Sequence, residues 1–331
     1  MSTTTATSIV VDAMGGDNAP GALLEGVATA LAADTALTVV LAGDASVVEP
    51  FCARHERCTP LVTTQVIQMD DHPAQAVRSQ PDSSIVAGCR VVRDGEAGAF
   101  FSAGSTGACM AAATLVMGRI KGVARPAIAT VLPTGGAPVV LLDVGANADC
   151  KPEHLLQFAH MGRAYAETVL GVSAPRVALL NIGEEPTKGS ALAQEAHALM
   201  ADHVAGFVGN VEGRDIMTGK SDVIVTDGFT GNVALKLLEG VSKSLLSQVK
   251  AAMLSSPATK VAALALKSSL NDLKDRLDPD TYGGAPLLGV NGVCIIGHGS
   301  SGPKAIASAI RVSAQAVRGG LTESIRQALE P

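Results

Sequence analysis

Short apolar runs alternate with amphipathic stretches along most of this chain. Ile9–Val11, Thr38–Leu41, Ala99–Ser102, Ile128–Leu132, Val139–Leu142, Val177–Asn181, Phe207–Gly209, Val223–Val225 and Val293–Ile296 read as strands. Gly21–Ala32, Ala108–Met117, Pro152–Leu170 and Pro303–Val317 read as helices. The strand runs are apolar at successive positions, the mark of strands buried on both faces of a parallel sheet. Pro133–Pro138 separates two of them by a turn short enough for a hairpin within the sheet. The alternation predicts an α/β chain: a Rossmann-like three-layer α/β/α sandwich forming one domain over residues 1–331. One stretch breaks the rhythm. From Leu235 to Leu277 the pattern is helical, interrupted at Ser255-Ser256-Pro257. Leu266, Leu270, Leu273 and Leu277 share one face, while Lys260, Lys267 and Lys274 recur on another. The expectation is a helical hairpin projecting from the sandwich, either packing a dimer or lying on lipid; one hairpin can do both.

Three of the strands lead into an acidic residue and a glycine-rich turn: Asp12-Ala13-Met14-Gly15-Gly16-Asp17, Asp143-Val144-Gly145-Ala146-Asn147 and Thr226-Asp227-Gly228-Phe229-Thr230-Gly231-Asn232. Ligands of open α/β sheets sit outside the carboxyl ends of strands. Glycine there lets backbone N–H groups approach a ligand. The three corners therefore predict a small-molecule site made from loops distant in sequence.

Composition narrows what that molecule can be. Hydrophobic residues make up 47% of the 331 positions, but aromatics only 2%, with no Trp and two Tyr. Few stacking platforms and a net charge of −6 weigh against nucleic acid. The six cysteines form no CxxC pair, and no Cys or His pair has zinc-finger or HExxH spacing, so reduced thiols and no metal are expected. Ala97–Gly118 carries no charge, yet its polar, turn-prone centre suits strand, loop and helix better than a membrane span. Met1–Ser8 lacks the features of an export signal, and a soluble protein is expected.

Further loops carry candidate chemistry. Gly297-His298-Gly299-Ser300-Ser301-Gly302 matches GxGxxG after a strand, but no second strand with an acidic end follows roughly 20 residues on, as a dinucleotide fold needs. What survives is a helix start with free N–H groups and hydroxyls, suited to phosphate. Gly104-Ser105-Thr106-Gly107 offers the same arrangement, or simple capping. Lys188, after Ile182–Thr187, stands near a helix start, where a cation is disfavoured unless an anion offsets it; the alternative is a solvated lysine. Asn232 reads as an N-cap or as a neutral donor to ligand. Asp227 and Asp12 either orient Lys188 or cap loops. His72 reads as a turn or helix-start residue. No nucleophile elbow is present, which favours direct transfer between two bound substrates over a covalent intermediate.

Taken together, these segments resemble the phosphate acyltransferase family of bacterial phospholipid synthesis, the PlsX family. The likeness runs from Val11 to about Ala316. Its marks are Asp12–Pro20, Ser102–Ala108, Asp143–Asn147, Gly183-Glu184-Glu185 through Lys188-Gly189, Gly209–Asp215, Asp222–Asn232, Tyr282–Gly289 and His298–Ser301. Two departures stand out. Ser105 replaces the family's usual Asn, exchanging an amide donor for a shorter hydroxyl. Arg78-Ser79-Gln80-Pro81-Asp82 lacks the lysines common there, leaving Arg78 as the cation.

The resemblance implies an enzyme that converts acyl-acyl carrier protein and inorganic phosphate to acyl phosphate and free carrier protein, without a cofactor. The acyl phosphate then feeds glycerol-3-phosphate acylation. It also implies a fold akin to phosphotransacetylases and isocitrate/isopropylmalate dehydrogenases. A cytoplasmic homodimer in peripheral contact with the membrane is implied too, together with contact to the downstream glycerol-3-phosphate acyltransferase. The tip of the hairpin, around Pro257–Leu266, becomes a candidate membrane contact. On this reading Lys188 and Asn232 are catalytic. Gly104, Ser105, Thr106, Gly107, Asp227, His298, Ser300 and Ser301 bind phosphate or substrate. Arg119, Lys121 and Arg125, expected beside the glycine loop, or lysines of the hairpin, would meet the acidic carrier. The alternatives are phosphotransacetylase-like transfer from acyl-CoA and a silent scaffold on a lipid surface.

Overall fold

The computed structural model describes residues 7–266 and 283–330. Among them are the strands β1 (Thr7–Asp12), β2 (Leu37–Gly43), β3 (Cys58–Val62), β4 (Ala99–Ser102), β5 (Ala127–Leu132) and β6 (Val139–Leu142). β7 (Val177–Leu180), β8 (Phe207–Val211), β9 (Val223–Val225), β10 (Ala285–Leu288) and β11 (Val293–Ile296) complete the sheet. All eleven join in the order β3-β2-β1-β4-β11-β10-β5-β6-β9-β7-β8.

The sheet is mixed, two parallel blocks joined through antiparallel strands that include the expected hairpin. β3, β2, β1, β4 and β11 run parallel to one another. β10 is antiparallel to both β11 and β5, and β5 is antiparallel to β6. β6, β9, β7 and β8 then form a second parallel block of opposite sense. The β5–β6 hairpin makes the reversal: a six-residue turn can join only antiparallel neighbours.

Helices cover both faces. They are α1 (Gly21–Ala33), α2 (Ala45–Cys52), α3 (Pro73–Ser79), α4 (Ser84–Arg93), α5 (Thr106–Ala112), α6 (Pro152–Thr168), α7 (Ala191–His203), α8 (Gly228–Met253), α9 (Pro257–Ala265), α10 (Pro303–Arg318) and α11 (Leu321–Ala328). A π-helical turn, Ala113–Met117, prolongs α5. Strand side chains alternate between two cores. Ile9, Val11, Val140, Leu142, Val223 and Val225 pack with residues of α1, α6, α7 and α10. Val10, Val139, Leu141 and Ile224 pack with residues of α4 and α5. This is period-2 geometry with both faces buried. Each fully buried side chain such as Phe158 or Leu142 is worth about 1.5–3 kcal/mol.

Several elements escape the apolar pattern. β3 is an edge strand with Thr59, Pro60 and Val62 exposed, so it has no apolar run to betray it, and a proline is tolerated at an edge. β10 contains Pro286 and follows Gly283 and Gly284, both at positive φ. α8 runs for 26 residues, about 39 Å. The break at Ser255-Ser256-Pro257 lies where expected. Ser256 Oγ accepts the Thr259 N–H at 3.2 Å, and Thr259 Oγ1 accepts the Ser256 N–H at 3.0 Å, a reciprocal cap that starts α9. Lys267, Leu270, Leu273, Lys274 and Leu277 lie outside the described residues, as does Tyr282. No described helix is long and apolar enough to cross a membrane.

Candidate active site

A first corner forms at the carboxyl ends of β1, β4 and β11. Asp12, 1% exposed, accepts the Met14 N–H at 2.9 Å and the Ser102 hydroxyl at 2.7 Å. Ser102 Oγ in turn accepts the Gly104 N–H at 3.0 Å. Burial pushes the Asp12 pKa up, against the hydrogen bonds from Ser102, Ser84, Met14 and Gly15 that hold it down. Gly15 has no room for a side chain: a Cβ would fall 2.6 Å from Asp12 Oδ2 and 2.7 Å from the Gly104 nitrogen. The β11 loop joins the same cluster. The Asp17 N–H donates to the Gly299 carbonyl at 2.8 Å, and Asn18 Nδ2 reaches the carbonyls of Ser300 and Ser301 at 3.3 and 3.5 Å. His298 Nδ1 accepts the Ser300 N–H at 3.3 Å and sits 2.8 Å from Ser300 Oγ.

The loop ahead of α5 divides its tasks. Ser105 is the N-cap of α5, its hydroxyl accepting the Ala108 N–H at 3.4 Å. Gly107 faces α3, where a Cβ would come 2.6 Å from Pro73 Cγ, so close packing accounts for this glycine. Gly104 and Thr106 are left at the corner, Thr106 exposed.

A second corner forms where β6 and β9 end. Asp143, fully buried, accepts five N–H donors. Oδ1 takes those of Ile128, Gly145 and Ala146 at 3.0–3.1 Å, and Oδ2 takes the Asn147 N–H at 2.7 Å and its Nδ2 at 2.8 Å. Burial nevertheless raises its pKa. The start of α8 lies directly on this loop. A Cβ at Gly231 would fall 1.9 Å from the Asp143 carbonyl oxygen, and one at Gly228 2.7 Å from that of Asn147. Asp227 is the N-cap of α8, accepting the Thr230 N–H at 2.9 Å and its hydroxyl at 2.7 Å. Of the two readings open for Asp227 and Asp12, each carboxylate is therefore engaged in its own loop. Asn232 is not the cap. It lies a turn inside α8, exposed, with its side chain against Gly145.

Lys188 stands in the loop after β7. In register, Leu179 of β7 pairs with Val225 of β9, so Asn181 and Asp227 leave the sheet side by side. Asn181 Nδ2 donates to the Lys188 carbonyl at 3.0 Å, and the lysine stem lies over Gly183, where a Cβ would be 2.9 Å from Lys188 Cγ. Helix α7 starts three residues later, capped by Ser190, so Lys188 precedes the helix instead of opening it. The lysine is exposed and has no ion-pair partner among the described residues. Its loop is braced from β8 and beyond. Asn210 Nδ2 donates to the Glu185 carbonyl at 2.9 Å, and Lys220 bridges Glu184 at 3.1 Å and Asp215 at 2.8 Å.

The structure thus gathers Gly104, Ser105, Thr106, His298, Ser300 and Ser301 at one corner, and Asp227, Asn232 and Lys188 around the ends of β6, β9 and β7. The bracing roles of Asn18 and Asn210 are not readable locally, because their partners are backbone carbonyls distant in the chain. Arg119, Lys121 and Arg125 are not beside the glycine loop: α5 and the π turn intervene, and the end of their loop is tied to the Asp143 corner, Asn147 Nδ2 donating to the Pro126 carbonyl at 2.8 Å.

Comparisons with known proteins agree with this architecture. The Streptococcus pyogenes phosphotransacetylase superposes with a TM-score of 0.61 at 15% identity, over 94% of each chain, a likeness of fold. A phosphate acyltransferase of Desulfitobacterium hafniense is 50% identical over 325 residues, 97% of both chains. One from Heliobacterium modesticaldum is 49% identical over 324 residues, 96% of both. The sequence model of the fatty acid synthesis protein family matches residues 7–324, and it is to this family, that of the PlsX phosphate acyltransferases, that the chain belongs.

Proposed function

We infer that the protein is an acyltransferase that converts acyl-[acyl carrier protein] and inorganic phosphate to acyl phosphate and free carrier protein, for phospholipid synthesis. One observation carries this: half-identity to phosphate acyltransferases over nearly the whole of both chains. A phosphate oxygen attacks the thioester carbonyl, giving a tetrahedral oxyanion. Its collapse breaks the C–S bond and releases the pantetheine thiolate, which takes up a proton. Phosphate is already anionic and the thiolate leaves readily, so catalysis rests on positioning and on donors aimed at the oxyanion.

In this reading Lys188 and Asn232 contact phosphate and oxyanion, and the Gly104–Thr106 and His298–Ser301 loops hold the substrate's anionic groups. Sheet twist favours their cooperation. About 20–25° per strand accumulates over the six steps from β1 to β9 to about 120–150°. With that average twist, strands of opposite sense would lie within about 30–60° of one another in direction.

The protein acts as a homodimer at the membrane surface. Support comes from α8, where Phe229, Val233, Leu237, Val241, Leu245 and Val249 recur every fourth residue and are all exposed. Contiguous exposed apolar surface of this kind marks an interaction site. The decisive experiment mixes pure protein with acyl-acyl carrier protein, with and without phosphate, and follows products by mass. Phosphate-dependent acyl phosphate is the expected result; its absence refutes the reading, and equal use of acyl-CoA favours the phosphotransacetylase-like alternative.

A further inference from the structure

Beside the second corner lies a group of cations that the chemistry above does not use. The loop 118–126, which follows the π turn, carries Arg119, Lys121 and Arg125, all exposed. It is fastened from several sides. The Ile120 N–H donates to the Gly289 carbonyl at 3.0 Å, and Asn291 Nδ2 to the Arg119 carbonyl at 2.9 Å. Gln157 of α6 accepts the Ala124 N–H and donates to the Gly122 carbonyl, both at 2.9 Å. Asn147 Nδ2 ties Pro126 to the Asp143 corner at 2.8 Å.

Lys151 adds a fourth exposed cation at the N-cap of α6, a place where the helix dipole opposes positive charge. After burial, Arg125 and Lys151 are what hold the His154 pKa down, which places the three within electrostatic reach. Burial first, then the charges of Asp143 and Asp227, push the Cys150 thiol up while Arg125 pulls it down, so Arg125 lies within electrostatic reach of the residues at the start of α8. None of the four has an ion-pair partner among the described residues. The exposed carboxylates of the same segment are Asp149 and Glu153, in a chain whose net charge is −6. Leu115, 53% exposed, lies one turn before Arg119.

We propose that this rigid ledge of Arg119, Lys121, Arg125 and Lys151 is the docking surface for the acidic face of the carrier that delivers the acyl thioester. The proposal rests on the function inferred above. A carrier seated here presents its acyl group toward the corner that holds Asn232, and opposite charges speed and orient the encounter.

The test compares wild type with Arg119→Glu/Lys121→Glu and Lys151→Glu in full-length protein, at low and high salt. The ledge predicts that the KM for acyl carrier rises on the order of 10-fold in each variant, while the KM for phosphate and kcat at saturation stay put. It also predicts that salt raises the wild-type KM more steeply than that of the variants. Unchanged carrier KM in folded variants overturns the proposal, as does a KM that responds instead to Lys243→Glu/Lys250→Glu on α8. A wild type that makes no acyl phosphate removes the functional reading first, and the ledge with it.

Discussion

At the scale of single residues, Lys188 and Gly231 illustrate two ways of serving one site. Lys188 is an exposed cation on a loop braced by Asn181, Asn210 and the Lys220–Asp215 pair, so its position is set by groups elsewhere in the chain. Lys188→Ala should lower turnover by on the order of 10²-fold with thermal stability unchanged, the cost of losing one aimed donor to the oxyanion. Near wild-type turnover in a folded variant eliminates the lysine from the mechanism. Gly231 acts by what it lacks. A Cβ there would stand 1.9 Å from the Asp143 carbonyl oxygen, so Gly231→Ala should push α8 off its loop and cost about 2–3 kcal/mol, read by urea unfolding. Activity should fall with it, because Asn232 follows directly.

Between elements, register is pinned by side chains at strand entrances. Arg176 and Asp222 immediately precede the neighbouring strands β7 and β9. Asp222 Oδ2 accepts the Arg176 N–H at 2.8 Å and Nε at 3.0 Å, and Oδ1 accepts Nη2 at 2.9 Å. These bonds, Arg176's first among them, hold the Asp222 pKa below its ordinary value of 3.8. A carboxylate with a depressed folded pKa contributes stability above its unfolded pKa and loses it as pH falls through the folded one. Asp222→Asn should therefore cost about 1–2 kcal/mol near neutrality, discounted for the half-exposed arginine, and nothing once both states are protonated. Unfolding curves of the two proteins against pH should converge in acid; a constant gap contradicts the linkage. Asp12 and Asp143 have the opposite sign: burial raises both, so their contribution is lost as pH rises through the folded value.

The element scale also shows what the apolar pattern could and could not disclose. Val223–Val225 and Val139–Leu142 were legible because both faces are buried, leaving no polar residue to blur the run. β3 and α7 were not. An edge strand and a helix with a single buried stripe place most side chains in water, where residue choice is loosely constrained.

For the whole molecule, α8 carries an apolar ridge from Phe229 to Val249 that the other described residues leave exposed. If two copies meet along it, Leu237→Glu/Leu245→Glu should yield a folded monomer at micromolar concentration in light scattering, where wild type sediments and scatters as a dimer. A monomeric wild type rejects that assembly. The reversal of strand sense at β5–β6 matters at this scale too. It places the Asp12 and Asp143 corners in separate parallel blocks of opposite sense.

Local chemistry by itself determined which buried segments would be strands, β3 and β10 excepted, where glycine turns follow acidic residues, and that Ser256-Pro257 would end one helix and start another. These follow from side-chain size, backbone freedom and burial on two faces, all written position by position. Tertiary structure alone decided that Asp227, not Asn232, caps α8, that Gly107 answers to Pro73, and that the Arg119 loop adjoins Asp143 instead of Gly104. Those outcomes depend on which distant backbone groups meet. That is settled by strand order and direction, and no local pattern records either.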